Sequence, residues 1–321
     1  MNRRFLNVLR VVVSVGLLAF VLWKSNPATI LAELRQGDLR FLVAALALFL
    51  VGLVIRAYRW LVLVRGLDPT VSFGRLMNLY FVGQFFSTFL PTTYGGDVIR
   101  ALELTQNTDS SAAIGTVLLD RLTGLMMLAL IGLVVLPFQV SRMERWLVWV
   151  LLGVILAILA GGALVIEGRV LRWLASRLPP QLSLTGQSPL AKVYAAVTGC
   201  GWKAVLSAFG VSIIFNIVNV LINWLCGKAM GTGVSLRFFF VITTLFSISG
   251  LIPSIGGWGV RETLSTAVFG SVGSAKAAAW GIALGLVMLA AGLVGGIVYV
   301  VGAAYAMFSE RRSGGDTPPL A

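Results

Sequence analysis

The sequence predicts an all-α polytopic membrane protein with about six full transmembrane helices and two re-entrant helical hairpins, broken at their centres, in an inverted-topology repeat. Three observations predict it. The 321-residue chain is 58 % hydrophobic with a mean hydropathy of +0.94, which leaves too little polar surface to coat a soluble globule. Charged residues make up 12 % of the chain, roughly half the share usual in soluble domains, and they gather between apolar runs. Two apolar stretches, one in each half, break at similar Pro-Gly-Gly patterns.

Crossing the hydrocarbon takes about 20 helical residues, and runs of that kind lie at 5–23, 41–64, 110–137, 147–166, 204–226 and 280–307. The first follows a basic start, Met1 to Arg10, as a signal peptide would. No small-residue cleavage site follows it, and Trp23-Lys24 is a poor one, so it reads as an uncleaved helix. Stretches 72–106 and 236–270 begin apolar and then break, one at Pro91-Thr-Thr-Tyr94-Gly95-Gly96-Asp97, the other at Pro253-Ser-Ile-Gly256-Gly257-Trp-Gly259. In both, arginine follows the second glycine by four residues, as Arg100 and as Arg261. A long span precedes each break and a Ser/Ala-rich segment leads out of it, which defines repeat units of about 41–137 and 202–307 within a single membrane domain over 1–321. If the two hairpins enter from opposite faces, basic flanking residues favour cytoplasmic termini and a plasma (inner) membrane location. Residues 168–200 form a cytoplasmic linker, amphipathic over 169–178, and 309–321 are expected to be a disordered tail.

A net charge of +13 would suggest nucleic acid for a soluble protein. Here the basic residues flank apolar runs, where they meet anionic headgroups, so membrane and anionic lipid are the expected partners and nucleic acid is not. The chain has no histidine, which excludes histidine metal sites and Ser-His-Asp or Cys-His arrangements. Cys200, expected to begin a helix, and Cys226, near the far end of the same run, read as packing residues. No cofactor, metal or nucleotide-binding loop is expected, so any transport would be downhill or ion-coupled.

Irregular backbone at membrane depth survives only where protein or a watery cavity surrounds it. Both breaks, with Pro91, Gly95, Gly96, Pro253, Gly256 and Gly257 as gating positions, are therefore expected to line a protected cavity. The helix restarting after each break points its free N–H groups at that cavity, with Arg100 and Arg261 expected in its first turn. Dipole, donors and guanidinium together suit a phosphate. The alternative is an ordinary loop with arginines snorkelling to headgroups. Arg59 is near enough to the span's end to snorkel, whereas Arg56, one turn deeper on the same face, is expected to face the interior. Asp120 and Arg121 either start a span at the interface or present one member to the cavity. The candidate substrate-binding set is Arg56, Arg59, Tyr94, Asp97, Arg100, Asp120, Arg121, Arg261 and Glu262; with Glu103 it carries one surplus positive charge. Such a set can pair internally when empty and re-pair around a phosphodiester. Gly281-x-x-x-Gly285 and Gly292-x-x-x-Gly296 permit close helix packing.

The Arg-x-x-Arg-Trp60 end of the second span, Leu-Pro91…Gly-Gly-Asp-x-x-Arg100, Leu-Leu-Asp120-Arg121 and Pro253…Gly-Gly…Gly-x-Arg-Glu262 resemble the lysylphosphatidylglycerol synthase transmembrane-region family over about 5–308. This is the flippase half of the multiple peptide resistance factor and its stand-alone relatives. The resemblance implies an inner-membrane lipid flippase or lipid-binding transporter for an anionic or modified phospholipid or a polyprenyl-phosphate lipid, with an envelope-lipid or glycosyltransferase enzyme as a partner. The full-length factor ends in a soluble aminoacyl-transferase domain that this sequence has no segment to hold, so the chain is expected not to be that enzyme. Two other classes stay open. One is a membrane transferase acting on a lipid headgroup, with Asp97, Asp120 or Glu262 as base, and the other a noncatalytic scaffold for envelope glycosyltransferases.

Overall fold

A computed structural model describes residues 37–89, 95–105, 108–138, 140, 145–168, 172–173, 184, 188–249 and 277–313. The expected first span at 5–23, the break residues Pro91, Tyr94, Pro253, Gly256 and Gly257, the charges Arg261 and Glu262, and most of the amphipathic segment 169–178 lie outside the described residues.

Among the described residues nine α-helices follow in order: α1 (Leu39–Arg65), α2 (Phe73–Phe89), α3 (Gly95–Leu104), α4 (Ser110–Val135, then a 3-10 turn Leu136–Phe138), α5 (Arg145–Glu167), α6 (Pro189–Gly199), α7 (Trp202–Ala229), α8 (Leu236–Ser249) and α9 (Ala277–Ser313). Among the described residues five helices are long and apolar enough to span a membrane: Leu39–Arg65, Ser110–Phe138, Val148–Glu167, Trp202–Ala229 and Ala279–Tyr305. These are the five predicted runs from 41 onward. The protein is thus a multi-span, all-helical membrane protein.

Local chemistry sets where the helices begin. Asp38 caps α1 by accepting from the Arg40 amide at 2.9 Å, Asp109 caps α4 through the Ser111 and Ala112 amides, and Ser188 caps α6 just before Pro189. Between α1 and α2, Asp68 accepts from the Thr70 hydroxyl and amide and from the Thr108 hydroxyl, and these bonds hold its carboxyl below its ordinary range. Cys200 ends α6 rather than beginning a helix, because Gly201, at φ 82°, turns the chain before α7 starts at Trp202. Both cysteines are buried. The last helix runs on to Ser313, into the segment expected to be a disordered tail, since Glu310 and Arg311-Arg312 are good helix formers.

Helix α7 packs along α1, α2 along α9 and α3 along α2; α4 contacts α1, α3, α5, α6, α7 and α8. Contacts also join α1 to α2 and α9, and α7 to α8 and α9. The core falls into two main clusters, one around Leu53, Trp60, Leu76, Leu104 and Val117, the other around Ala129, Val220, Phe239, Ile242 and Trp280. At the α2–α9 contact the expected Gly292 and Gly296 are in use, since a Cβ would lie 2.7 Å from Thr88 Oγ1 on the first and 2.8 Å from Phe85 Cδ2 on the second; Gly295 beside them is tighter still, 2.1 Å from the Phe81 carbonyl oxygen.

Candidate functional site

The described charges inside the helix bundle converge on one place, where α1, α2, α3, α4 and α7 meet. Asp120 of α4 is completely enclosed. Its Oδ1 accepts from Arg59 Nε at 2.7 Å, and its Oδ2 accepts a short hydrogen bond from the Tyr80 hydroxyl and lies 3.6 Å from Arg100 Nη1. Arg59 also donates to Ser212 Oγ of α7 at 3.2 Å. One carboxylate thus ties five helices together through Arg59, Tyr80, Arg100 and, by way of Arg59, Ser212.

A second carboxylate extends the network. Asp97, in the first turn of α3, accepts from Arg100 Nη2 and from Arg121 Nε, each at 2.5 Å. The guanidinium of Arg100 lies over the Tyr80 ring at 4.0 Å and the Trp60 ring at 4.9 Å. Trp60 is fixed in turn by donating from Nε1 to Thr116 Oγ1 at 3.3 Å. Arg56, one turn from Arg59 on α1, is half-buried and lies over Tyr80 at 5.1 Å and Phe215 at 5.4 Å. Among the described residues no carboxylate lies within ion-pair distance of Arg56.

Four guanidinium groups and two carboxylates therefore make up the described cluster, two positive charges in excess. Arg56, Arg59, Arg100, Arg121 and Asp97 border a cavity of about 270 Å³, near the lower end of small-molecule sites. Its walls continue as apolar surface from Phe49, Leu53, Phe215, Phe246, Leu284 and Met288. A further wall is polar but uncharged, with Gln84 of α2, Asn216, Asn219 and Asn223 of α7, and Thr243 of α8.

Several sequence expectations change in detail. Arg59 does not snorkel; only 2 % of it is exposed, because Asp120 supplies a partner at depth. Asp120 and Arg121 do not start a helix, since α4 begins at Ser110; Asp120 is fully enclosed and Arg121 borders the cavity. Arg100 lies in the second turn of α3, not the first, and the first-turn acid is Asp97. The partial positive charge of that helix end is thus met by a carboxylate of the chain. Glu103 does not line the cavity; its carbonyl accepts from Arg75 Nη2 at 3.0 Å. Gly95 and Gly96 open α3, and Gly96 borders the cavity in tight contact with α2: a Cβ there would lie 2.0 Å from the Gly83 carbonyl oxygen.

Sequence reading missed Tyr80 and the asparagines. Nothing marks Tyr80 in an apolar, aromatic-rich stretch. The asparagines did leave a signal, since 216, 219 and 223 fall at helical spacing within an otherwise apolar run and so share one face. Cys200 is remote from this chemistry. Burial pushes its thiol up to about 11, so it stays protonated near neutrality.

Comparison with known proteins agrees with this architecture. A membrane protein of the UPF0104 group from Methanothermobacter thermautotrophicus is 24 % identical over 303 residues, covering 85 % of each chain. Another UPF0104 membrane protein, from Pyrococcus horikoshii, is 25 % identical over 118 residues, 36 % of this chain and 35 % of the relative. In that second match the chain spans about a third of its relative's length. The family described as Lysylphosphatidylglycerol synthase TM region matches residues 7–309, nearly the whole sequence. The chain belongs to that family.

Proposed function

We propose that the protein binds the phosphate of an anionic membrane lipid in the arginine-bordered cavity and carries it between leaflets. The observation that carries this reading is, among the described residues, the surplus of two guanidinium charges inside a bundle of candidate membrane-spanning helices, with Arg56 lying over the aromatic faces of Tyr80 and Phe215. Uncompensated charge at such depth is costly and is retained where it meets a counter-charge. A lipid phosphodiester brings one negative charge and two acceptor oxygens, which suit guanidinium donors.

Movement is supported by the pattern of helix contacts. With 41–137 and 202–307 taken as equivalent units, α1 matches α7, α2 matches α8 and α4 matches α9. Each contact among these six helices then has its counterpart: α2 on α9 answers α8 on α4, α1 on α9 answers α7 on α4, α1 on α4 answers α7 on α9, and α1 on α7 answers itself. Within units, α1 on α2 answers α7 on α8. Two like halves around one cavity are what alternating access requires. The transferase reading has less support at two of its three candidate bases, because Asp97 and Asp120 are both engaged by arginines and neither is a base awaiting a proton; the third, Glu262, lies outside the described residues.

The test is a liposome assay that follows a labelled anionic phospholipid between leaflets. Wild-type protein should accelerate its movement and leave phosphatidylcholine behind. Arg56→Gln should slow movement about tenfold or more while the protein stays monodisperse, since a charge-assisted contact contributes roughly 1.5–3 kcal/mol. Unchanged movement by Arg56→Gln, or equal movement of phosphatidylcholine, would contradict the proposal.

A further inference from the structure

Among the described residues three rings and three guanidinium groups interleave beside the cavity. Arg100 Cζ lies 4.0 Å from the centre of the Tyr80 ring and 4.9 Å from that of Trp60, in the corner those two rings make at 78° to each other. Arg56 Cζ lies 5.1 Å from the Tyr80 ring and 5.4 Å from Phe215, which also takes Arg59 at 5.6 Å. Tyr80 of α2 is thus the ring that Arg56 of α1 and Arg100 of α3 share. Only 2 % of it is exposed, and its hydroxyl, donating to Asp120 Oδ2 of α4, fixes the direction in which the ring points.

A ring and a carboxylate hold a guanidinium in different ways. A carboxylate takes up N–H donors in the plane of the group and cancels its charge. A ring meets the face instead, and leaves both the in-plane donors and the charge in place. Arg59 is held in the first way, with Nε on Asp120 and Nη1 on Ser212. Arg56 and Arg100 border the cavity with the Tyr80 ring between their two helices as common support.

We propose that Tyr80 is a positioning residue of the phosphate site: its hydroxyl fastens the bundle, while its ring sets the planes of Arg56 and Arg100 toward a bound phosphodiester. This rests on the phosphate reading above and deepens it. Guanidinium and phosphate bond well when their donor and acceptor edges align, so a long, rotatable side chain binds more tightly if its plane is already held. One ring serving two arginines also ties the geometry of α1 to that of α3. Phe215 supports Arg56 from α7 in the same manner.

Substitution separates the two roles, because Tyr80→Phe removes the hydroxyl and keeps the ring, whereas Tyr80→Leu removes both. The experiment measures phosphatidylglycerol binding to the purified full chain by native mass spectrometry, with thermal unfolding of the same preparations. Arg56→Gln sets the level of lipid held outside the cavity. Both Tyr80 variants should melt below wild type, yet Tyr80→Leu should bind about fivefold or more weakly and Tyr80→Phe within about twofold of wild type. Binding that falls in step with melting, so that Tyr80→Phe is as weak as Tyr80→Leu, would make Tyr80 a structural residue only and overturn the inference. Wild-type binding by Tyr80→Leu would overturn it too. If Tyr80→Leu does not fold, Phe215→Leu and Phe215→Tyr decide: the first should bind about threefold or more weakly and the second should keep its lipid, and equal binding by both overturns the inference. Wild-type protein that binds no more lipid than Arg56→Gln overturns the phosphate reading itself, whatever the Tyr80 variants do.

Discussion

At the scale of single residues, the arginines divide by what surrounds them. Arg59 and Asp120 are a closed pair, with Tyr80 completing the carboxylate, so they fasten the bundle. Removing one member of a buried pair strands the other charge, and Asp120→Asn should destabilise the protein by about 3–5 kcal/mol. Tyr80→Phe removes a single hydrogen bond and should cost about 1–3 kcal/mol. Thermal unfolding in detergent measures both, and equal melting of Asp120→Asn and wild type would contradict the assignment. Arg56 is the reverse case: open to the cavity and held by ring faces, it is the position where charge can be lost with the fold kept. Counting residues from the span end set Arg56 inside but left Arg59 free to snorkel, and the structure buries Arg59 instead because Asp120 meets it. The sequence did not show which carboxylate each would meet, since Arg59 and Asp120 are 61 residues apart and their pairing depends on how helices pack.

At the scale of helices, hydropathy was a sufficient guide to the five candidate spans among the described residues, because the bilayer fixes both length and composition. Helix α6 was less legible, being short and set by a Ser188–Pro189 start rather than by apolar length. Small residues decide how near helices come. Gly295→Val would drive a side chain into the backbone of α2 at Phe81, and it should lower stability by about 1–3 kcal/mol as α9 is pushed away. Gly96→Val meets Gly83 in the same way, but α3 also carries Asp97 and Arg100. It should therefore weaken anionic-lipid binding as well as stability, whereas Gly295→Val should act mainly on stability. Lipid binding by Gly96→Val at wild-type strength would contradict the tight α2–α3 contact. At the end of α6, the buried, protonated Cys200 should resist maleimide in folded protein at pH 7 and react once the protein is denatured. Prompt labelling of folded protein would mean that the α6–α7 corner opens.

At the scale of the whole molecule, transport as proposed needs both a positively charged cavity and two halves that pack on each other reciprocally. Opposed insertion of the halves predicts that cysteines placed near Thr70 and near Leu236 label from opposite sides of the membrane once Cys200 and Cys226 are replaced. Labelling of both from one side would contradict it. The proposed repeat rests on the sequence likeness of Pro91, Gly96 and Arg100 to Pro253, Gly257 and Arg261, of which Pro91, Pro253, Gly257 and Arg261 lie outside the described residues. The neutral wall of asparagines was not read, since uncharged side chains in an apolar run resemble ordinary interhelical hydrogen bonding. The central claim is that a lipid phosphate sits against Arg56, Arg100 and Arg121, and imaging of the protein in nanodiscs of phosphatidylglycerol tests it most directly. The account predicts headgroup density in the cavity within hydrogen-bond distance of Arg56, lost in Arg56→Gln; a cavity holding only water, with lipids confined to the outer surface, would contradict it.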